Sequence, residues 1–251
     1  MKVITDYPVA YESKDHTEPW GTKGDNNTSL PYIEEIEKHF EGKKINFLDI
    51  GCSGGQLVVD LHNRGHKAIG IEGSDYSAKT GRVGWAKYYK DILWTADAAK
   101  PYRIEEDGEQ VKFDFINSWE VIEHIPPDEL EQFFQNILDH LKEDGIFVGS
   151  ISIDFEDIYH VSNFEVDTWV YEILPKQFKV DVYPFENKLR DEDYSFHVML
   201  SHKVEEWHIQ RDSVVSSLLV SYNLQETILR EIEHLHSVLC LKNLIRWTRV
   251  I

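Results

Sequence analysis

The chain has 251 residues, of which 41% are hydrophobic and 28% are charged. This length and composition suit one large α/β domain or two small ones, and they exclude a disordered chain. The formal net charge of −19 argues against nucleic acid and anionic membranes as partners, because such a surface repels their phosphates.

Neither the apolar runs nor the cysteines indicate a membrane, secreted or metal-binding protein. The apolar runs are too short to span a bilayer, and the first residues, "MKVITDYPVAYESKD", lack the apolar core of a signal peptide. Cys52 and Cys240 lie far apart and form neither a disulfide framework nor a metal set. We therefore expect a cytoplasmic protein without a membrane span, a nucleic-acid partner or a metal site.

Taken in chain order, the sequence begins with a polar arm, residues 1–28, for which we expect irregular structure. Beyond it, short apolar runs alternate with amphipathic ones, which predicts an α/β fold. The predicted helices cover 32–42 (with Ser29 as N-cap), 56–65, 75–90 (with Asp75 as N-cap) and 128–142. The predicted strands cover 45–50, 67–73, 91–97, 111–119 and 146–153. This order specifies a parallel sheet with helices on both faces, which binds ligands beyond the carboxyl ends of its strands.

The glycine-rich stretch "FLDIGCSGGQ", residues 47–56, follows the first of these strands. A dinucleotide-binding loop would need glycine where Ser53 and Gln56 stand, and a phosphate-binding P-loop would need a lysine after Gly54 or Gly55. Both phosphate-binding interpretations are therefore disfavoured. The remaining pattern resembles motif I of the class I S-adenosylmethionine (SAM) dependent methyltransferases, and it consists of Asp49, Gly51, Cys52, Ser53 and Gly54.

Three later motifs extend this resemblance, one at each successive strand end. Glu72, followed by Gly73, ends the second strand, and Asp97, followed by Ala98, ends the third. The stretch "FDFINSWEVIEH" resembles the one after the fourth strand of these methyltransferases, and it contains Asn117, Ser118 and Trp119. Any one acid alone would be an ordinary capping or surface charge, but their joint order is much less expected by chance.

The resemblance implies a role for each of these residues. Asp49 would hold the SAM amino group, Glu72 the ribose hydroxyls, and Asp97 the adenine amino group, while the residues after the fourth strand would line the methyl donor. Ser53 departs from the usual second glycine, which we expect to be tolerable if its backbone stays in an ordinary region.

The resemblance also implies a domain plan. We expect a Rossmann-like class I methyltransferase fold in residues 29–203, completed to seven strands by 178–184 and by an antiparallel strand at 196–202. Residues 1–28 would form an arm that closes over SAM, with Tyr11, His16, Trp20 and Asn26 as contacts. An insert at about 154–175 would cover the acceptor. The arm and residues 204–251 match no motif of the family, but an apolar stripe predicts helices in 204–251 that pack on the core or pair two subunits.

Methyl transfer from SAM needs a base only if the acceptor proton has a high pKa. His124 is a candidate base, although it could equally orient its loop, and His160 is a second candidate within the acceptor-side insert. We expect O-methylation of a small polar acceptor such as a sugar, a surface-glycan or capsule precursor, or a phosphate-type group. The alternatives are an N-methyltransferase, an NAD-dependent oxidoreductase and a SAM-binding protein without turnover.

Overall fold

The computed structural model describes residues 1–16, 23, 28–181, 185, 189 and 195–202. These residues contain ten strands in two sheets. The strands are β1 (Lys2–Thr5), β2 (Asn46–Ile50), β3 (Lys67–Glu72), β4 (Leu93–Thr95), β5 (Tyr102–Glu106), β6 (Glu109–Gln110), β7 (Phe113–Trp119), β8 (Leu141–Ser152), β9 (Phe178–Asp181) and β10 (Ser195–His202).

The larger sheet has seven strands in the order β4-β3-β2-β7-β8-β10-β9. The first five of these pair in parallel, and β10 runs antiparallel to both β8 and β9. The chain reverses its direction of travel across the sheet between β2 and β7, and ligands of such sheets bind at this switch point. The predicted seven-stranded, mostly parallel α/β fold is confirmed.

Helices cover the sheet because its central strands are apolar on both faces. The α-helices are α1 (Leu30–His39), α2 (Gln56–Asn63), α3 (Tyr76–Thr80), α4 (Trp85–Tyr88), α5 (Leu130–His140) and α6 (Val166–Thr168), which continues as a π-helical turn, Trp169–Ile173. Ser29 caps α1 as predicted, because its side chain accepts a hydrogen bond from the amide of Tyr32. One core cluster joins α1, α2 and α4 to Phe47, Phe115 and Val148 of the sheet.

The segment 75–90 forms two short helices and not the single helix predicted. Gly81 ends α3 in the left-handed region at φ +63°, and Val83 follows at φ +48°. Asp75 also makes no side-chain capping bond, and its carboxylate lies 2.8 Å from Nζ of Lys79. The break lets Arg82 and Trp85 turn toward the glycine loop, as described below.

The N-terminal arm is more regular than predicted. Its first residues form β1, which pairs antiparallel with β5, and β5 pairs in turn with β6 in the smaller sheet. The prediction of a wholly irregular arm is therefore wrong, because pairing with a distant strand orders four residues that carry no local signal.

Other predictions fall on residues that the structure does not describe. These are the C-terminal helical extension 204–251 with its proposed pairing of subunits, and the arm contacts Trp20 and Asn26. Within the described ranges, none of the helices has the length and apolar character that crossing a membrane requires.

Candidate active site

The glycine loop after β2 is shaped by close packing. Gly51 has φ +80°, and its amide donates to the carbonyl oxygen of Ile71 at 2.9 Å. A Cβ atom on Gly51 would lie only 2.3 Å from Cγ2 of Val121, in the loop that follows β7. Gly55, at φ +77°, would bring a Cβ to 2.6 Å from Leu93. Both positions require glycine for conformation and for space.

Ser53 occupies the left-handed region at φ +50°, so the expectation of an ordinary backbone there is wrong. Two contacts from the broken helical segment hold this residue. Its Oγ accepts a hydrogen bond from the Arg82 guanidinium at 2.8 Å, and its carbonyl oxygen accepts one from Nε1 of Trp85 at 2.7 Å. The left-handed backbone is therefore compensated by partners that lie 29 and 32 residues further along the chain.

The acids at the ends of β3 and β4 are both buried and hydrogen-bonded. The two carboxylate oxygens of Glu72 accept from the amides of Ser53 at 2.7 Å and Ser74 at 3.1 Å. Asp97 accepts from the amide of Ala99 at 3.0 Å, and burial raises the pKa of its carboxyl. The adjacent Ala98 carbonyl accepts from the side chain of Asn136 at 2.9 Å. These bonds fix both carboxylates at the strand ends.

Asp49 lies within β2 and belongs to a buried polar network. It accepts a hydrogen bond from Nδ2 of Asn117 at 2.8 Å, and Oδ1 of Asn117 accepts from the hydroxyl of Tyr32 at 2.6 Å and from Nε1 of Trp119. Burial raises the pKa of Asp49 to about 7, against the lowering effect of the Asn117 bond and with a further rise from the charge of Glu72. A cation beside Asp49 would favour its ionised form.

Other predicted cofactor contacts are buried beneath the loop. Asn117 and Ser118 are fully buried, and Oγ of Ser118 has no hydrogen-bond partner among the described residues. Cys52 is also buried, which raises the pKa of its thiol, so it packs as a small apolar side chain. Direct contact of these three side chains with a cofactor stays a prediction.

The N-terminal arm contacts both sides of the site. The amide of Ala10 donates to the carbonyl of Gly73, and the amide of Asp97 donates to the carbonyl of Tyr7, each at 2.9 Å. Further along the arm, Nζ of Lys14 donates to the carbonyl of Ile158 at 3.3 Å. The arm thus runs from the ends of β3 and β4 to the predicted acceptor-side insert.

The structure brings the two predicted catalytic histidines together. The rings of His124 and His160 lie edge to face with 4.9 Å between their centroids, and Nδ1 of His124 lies 2.7 Å from a carboxylate oxygen of Asp15. Burial alone would lower the pKa of His124, but Asp15 and the neighbouring charge of Glu123 raise it to about 9. His124 therefore carries its proton at neutral pH in this arrangement, which favours an orienting role over that of a base.

Sequence reasoning missed three acids on this side of the site. Besides Asp15, they are Glu120, which accepts from Oγ of Ser195 at 2.8 Å in a left-handed conformation, and Glu123, which is fully buried. The signal was present in "EVIEH", where two carboxylates precede the histidine. No feature of the neighbouring sequence indicates that one of these two carboxylates, that of Glu123, is buried.

The comparisons with known proteins agree with this architecture. Residues 27–178 match a family model described as a methyltransferase domain. The matched region is more than half of the chain, so the chain belongs to the methyltransferase-domain family. The resemblance to class I SAM-dependent methyltransferases is thereby confirmed.

Two curated relatives are named as ubiquinone biosynthesis O-methyltransferases. The chain is 28% identical over 127 residues to the ubiquinone biosynthesis O-methyltransferase of Rickettsia typhi, covering 50% of this chain and 49% of the relative. It is 32% identical over 141 residues to the mitochondrial ubiquinone biosynthesis O-methyltransferase of Bos taurus, covering 51% of this chain and 36% of the relative. The chain thus spans about half or less of the length of these relatives.

Among solved structures, a TehB-like SAM-dependent methyltransferase from Corynebacterium glutamicum has the same fold. It aligns with a TM-score of 0.50 and 16% identity, covering 76% of this chain and 98% of the other. At this identity the likeness concerns the fold alone.

Proposed function

We propose that the chain binds SAM at the carboxyl ends of β2, β3 and β4 and transfers its methyl group to an oxygen of a small acceptor. The observation that supports this proposal is a set of three buried acids, Asp49, Glu72 and Asp97. They lie at or just beyond the carboxyl ends of the neighbouring strands β2, β3 and β4, in the order that the family resemblance predicts. Each acid is already held by at least one hydrogen bond, so the site is organised before a ligand arrives.

Each acid suits one part of SAM. Asp49 faces the charge of Glu72 and would gain most from the cationic amino group of SAM. Glu72 has two oxygens with fixed orientation, which suits a pair of ribose hydroxyls. Asp97 retains an oxygen beyond its bond to Ala99 and would accept from the adenine amino group. The left-handed turn at Gly51 would let the backbone approach the cofactor closely.

The residues contribute to methyl transfer mainly by positioning. SAM supplies a methyl group on a sulfonium, which is a good leaving group, and an in-line displacement leaves S-adenosylhomocysteine. The chain must hold the acceptor oxygen in line with the methyl carbon and exclude water. On the acceptor side, His124 is proposed to orient the acceptor, and the adjacent His160 to orient it or to receive its proton.

The acceptor is proposed as a small molecule with a hydroxyl group. The names of the relatives support oxygen as the methylated atom. No relative named above acts on a sugar, a glycan or a capsule precursor, so that part of the sequence interpretation has no support from them. Tyr11 on the arm and Phe155 and Ile158 on the insert are exposed large hydrophobic residues. They favour an acceptor with an apolar part.

Calorimetry tests the cofactor assignment. SAM and S-adenosylhomocysteine should bind to the full chain, and NAD should not. Glu72→Gln should weaken SAM binding by about 10- to 100-fold, because it removes a charged hydrogen-bond acceptor. Glu106→Gln is the matched control, since Glu106 pairs with Lys67 at the surface and should leave SAM affinity unchanged. Equal SAM affinity in folded Glu72→Gln protein would refute the ribose assignment.

Turnover is tested separately with methyl-labelled SAM and a panel of hydroxylated and amine-bearing acceptors. Label should pass to hydroxylated acceptors as S-adenosylhomocysteine accumulates. Transfer only to amines would identify an N-methyltransferase. SAM binding without transfer to any acceptor in the panel would favour a binding protein without turnover.

A further inference from the structure

We propose that Glu123, His124 and His160 form a binding site for one divalent transition-metal ion, with Zn²⁺ as the best-suited occupant. One potential ligand atom from each residue lies within 4.8 Å of the other two. The proposal departs from the expectation of no metal site, which was argued from Cys52 and Cys240, and neither cysteine belongs to this cluster.

Glu123 is the observation that points to a ligand. Its side chain is 0% exposed, and neither carboxylate oxygen makes a hydrogen bond of good geometry among the described residues. Burial and the charge of Glu120 raise the pKa of its carboxyl to about 8, against the lowering effect of His124 and of the nearby amides of Glu123 and Ser152. A buried carboxylate without a partner is costly, and proteins retain such groups where a ligand completes them. A cation held between Glu123 and the two imidazoles would supply the missing interaction.

The backbone holds the two halves of this cluster together. The carbonyl oxygen of Glu123 accepts hydrogen bonds from the amides of Val161 at 2.9 Å and Ser162 at 3.0 Å. The loop after β7, which carries Glu123 and His124, is therefore joined directly to the insert that carries His160. Ligands that lie on two connected segments are positioned before the ion binds.

Each histidine has an oxygen atom close to one ring nitrogen, and the contact of His160 also has the geometry of a hydrogen bond. Nδ1 of His160 lies 2.9 Å from the carbonyl oxygen of Asp154, and Nδ1 of His124 lies 2.7 Å from the carboxylate of Asp15. Binding of the ion would displace the extra proton that His124 carries in the metal-free protein, and a proton kept on Nδ1 of each ring would then leave Nε2 with the lone pair that binds a metal. Carboxylates and carbonyls placed in this way orient the histidine ligands of metal sites.

The donor set selects the class of ion and its role. Two imidazoles and one carboxylate suit Zn²⁺ and its first-row neighbours, whereas Mg²⁺ and Ca²⁺ prefer oxygen ligands throughout. Three protein ligands also leave a coordination position open. If the proposed methyl transfer holds, an acceptor hydroxyl bound there would lose its proton more easily and would be oriented toward the methyl donor.

The test is metal binding by the full chain after treatment with a chelator. Zn²⁺ titrated by calorimetry should bind at one ion per chain, and Mg²⁺ at the same concentration should not compete. Glu123→Gln and His160→Ala should each weaken Zn²⁺ binding at least tenfold. His62→Ala, which removes an exposed histidine of α2, is the matched control and should leave the affinity unchanged.

A second measurement keeps the test decisive if a variant fails to fold. Co²⁺ added to the unaltered protein should give the visible absorption of a four- or five-coordinate site with nitrogen ligands. An octahedral aquo-ion spectrum would overturn the proposal, as would Zn²⁺ binding that only His62→Ala weakens. SAM binding to metal-free protein is measured in parallel, so that failure of the metal site and failure of the proposed function are distinguishable.

Discussion

The two sides of the candidate site differ in how their buried polar groups are satisfied. On the side where we propose that SAM binds, called the cofactor side below, Asp49, Glu72 and Asp97 each accept hydrogen bonds from the surrounding chain. On the acceptor side, both carboxylate oxygens of Glu123 and Nε1 of Trp169 are buried without a hydrogen-bond partner within the described residues. Apart from Oγ of Ser118, the polar groups named on the first side are satisfied by the protein itself, whereas those on the second side are arranged as though a ligand completes them.

This difference suits two separate tasks within one fold, the binding of a cofactor and the binding of an acceptor. The cofactor side is built at the ends of parallel strands, where backbone amides and glycine turns are fixed by the sheet. The acceptor side consists of a loop and an insert that are joined to each other through the carbonyl of Glu123, and its side chains are less constrained by regular structure. A common cofactor can be served by the first arrangement, while the second can vary with the acceptor.

The largest effect is expected where the two sides touch, at Gly51. Gly51→Ala should lower the free energy of unfolding by about 4 kcal/mol, because it forces a non-glycine residue into the left-handed region and against Val121. The measurement is urea unfolding of the variant and the unaltered protein. SAM affinity should fall as well, since the loop must shift.

Gly42→Ala is the matched control for this prediction. Gly42 has a similar φ of +73° but open space around its Cβ position, so only the conformational cost of about 1–2 kcal/mol is expected. If the two substitutions lowered the free energy of unfolding equally, the side chain of Val121 would be able to move away at no cost, and the two sides would not be tightly packed at Gly51.

The next effect concerns Asp49 and pH. Its pKa is about 7 in the folded protein against an ordinary value of 3.8, so the folded state keeps a proton that the unfolded chain releases. Stability from this group is therefore present at pH 4 and is lost as the pH rises through 7. The loss amounts to about 4 kcal/mol, because the pKa is raised by about three units and each unit corresponds to about 1.4 kcal/mol.

Asp49→Asn isolates this contribution, because an amide does not titrate. Stability should be measured for both proteins from pH 4 to pH 8, where the other acids contribute equally to each. The variant should gain stability relative to the unaltered protein as the pH rises. A constant difference across the range would mean that Asp49 is ionised throughout and that burial does not govern its pKa.

A pair of tryptophans compares the two sides directly. Trp85 and Trp169 are both buried, but Nε1 of Trp85 donates to the Ser53 carbonyl at 2.7 Å, whereas Nε1 of Trp169 has no hydrogen-bond partner in the part of the chain that the structure describes. Trp85→Phe should therefore cost about 2 kcal/mol more in unfolding free energy than Trp169→Phe, because it also leaves a buried carbonyl unsatisfied. Thermal or urea unfolding of both variants is the measurement. Equal costs would contradict the contrast between the two sides.

The cofactor side was largely predictable from sequence, and the acceptor side was not. Gly51, Glu72 and Asp97 each follow an apolar strand, so a local pattern locates them at one edge of the sheet. The burial of Glu123 and its approach to His160 depend on contacts between segments that are distant in sequence. The helix break at Gly81 escaped prediction for a related reason, since Arg82 and Trp85 gain their partners only in the folded chain.

The smallest effect is expected for Ser53→Gly, which restores the residue usual in the family. Glycine relieves the left-handed backbone at φ +50°, a gain of about 1 kcal/mol. It also removes the hydrogen bond from Arg82 to Oγ, a loss of about 1 kcal/mol. The two terms nearly cancel, so unfolding free energy and SAM affinity should change little.

Ser53→Ala loses the bond but keeps the backbone cost, so it should be less stable than Ser53→Gly by about 1 kcal/mol. If Ser53→Ala proved as stable as Ser53→Gly, the left-handed conformation would carry no cost, and the hydrogen bonds to Arg82 and Trp85 would not be needed to hold it.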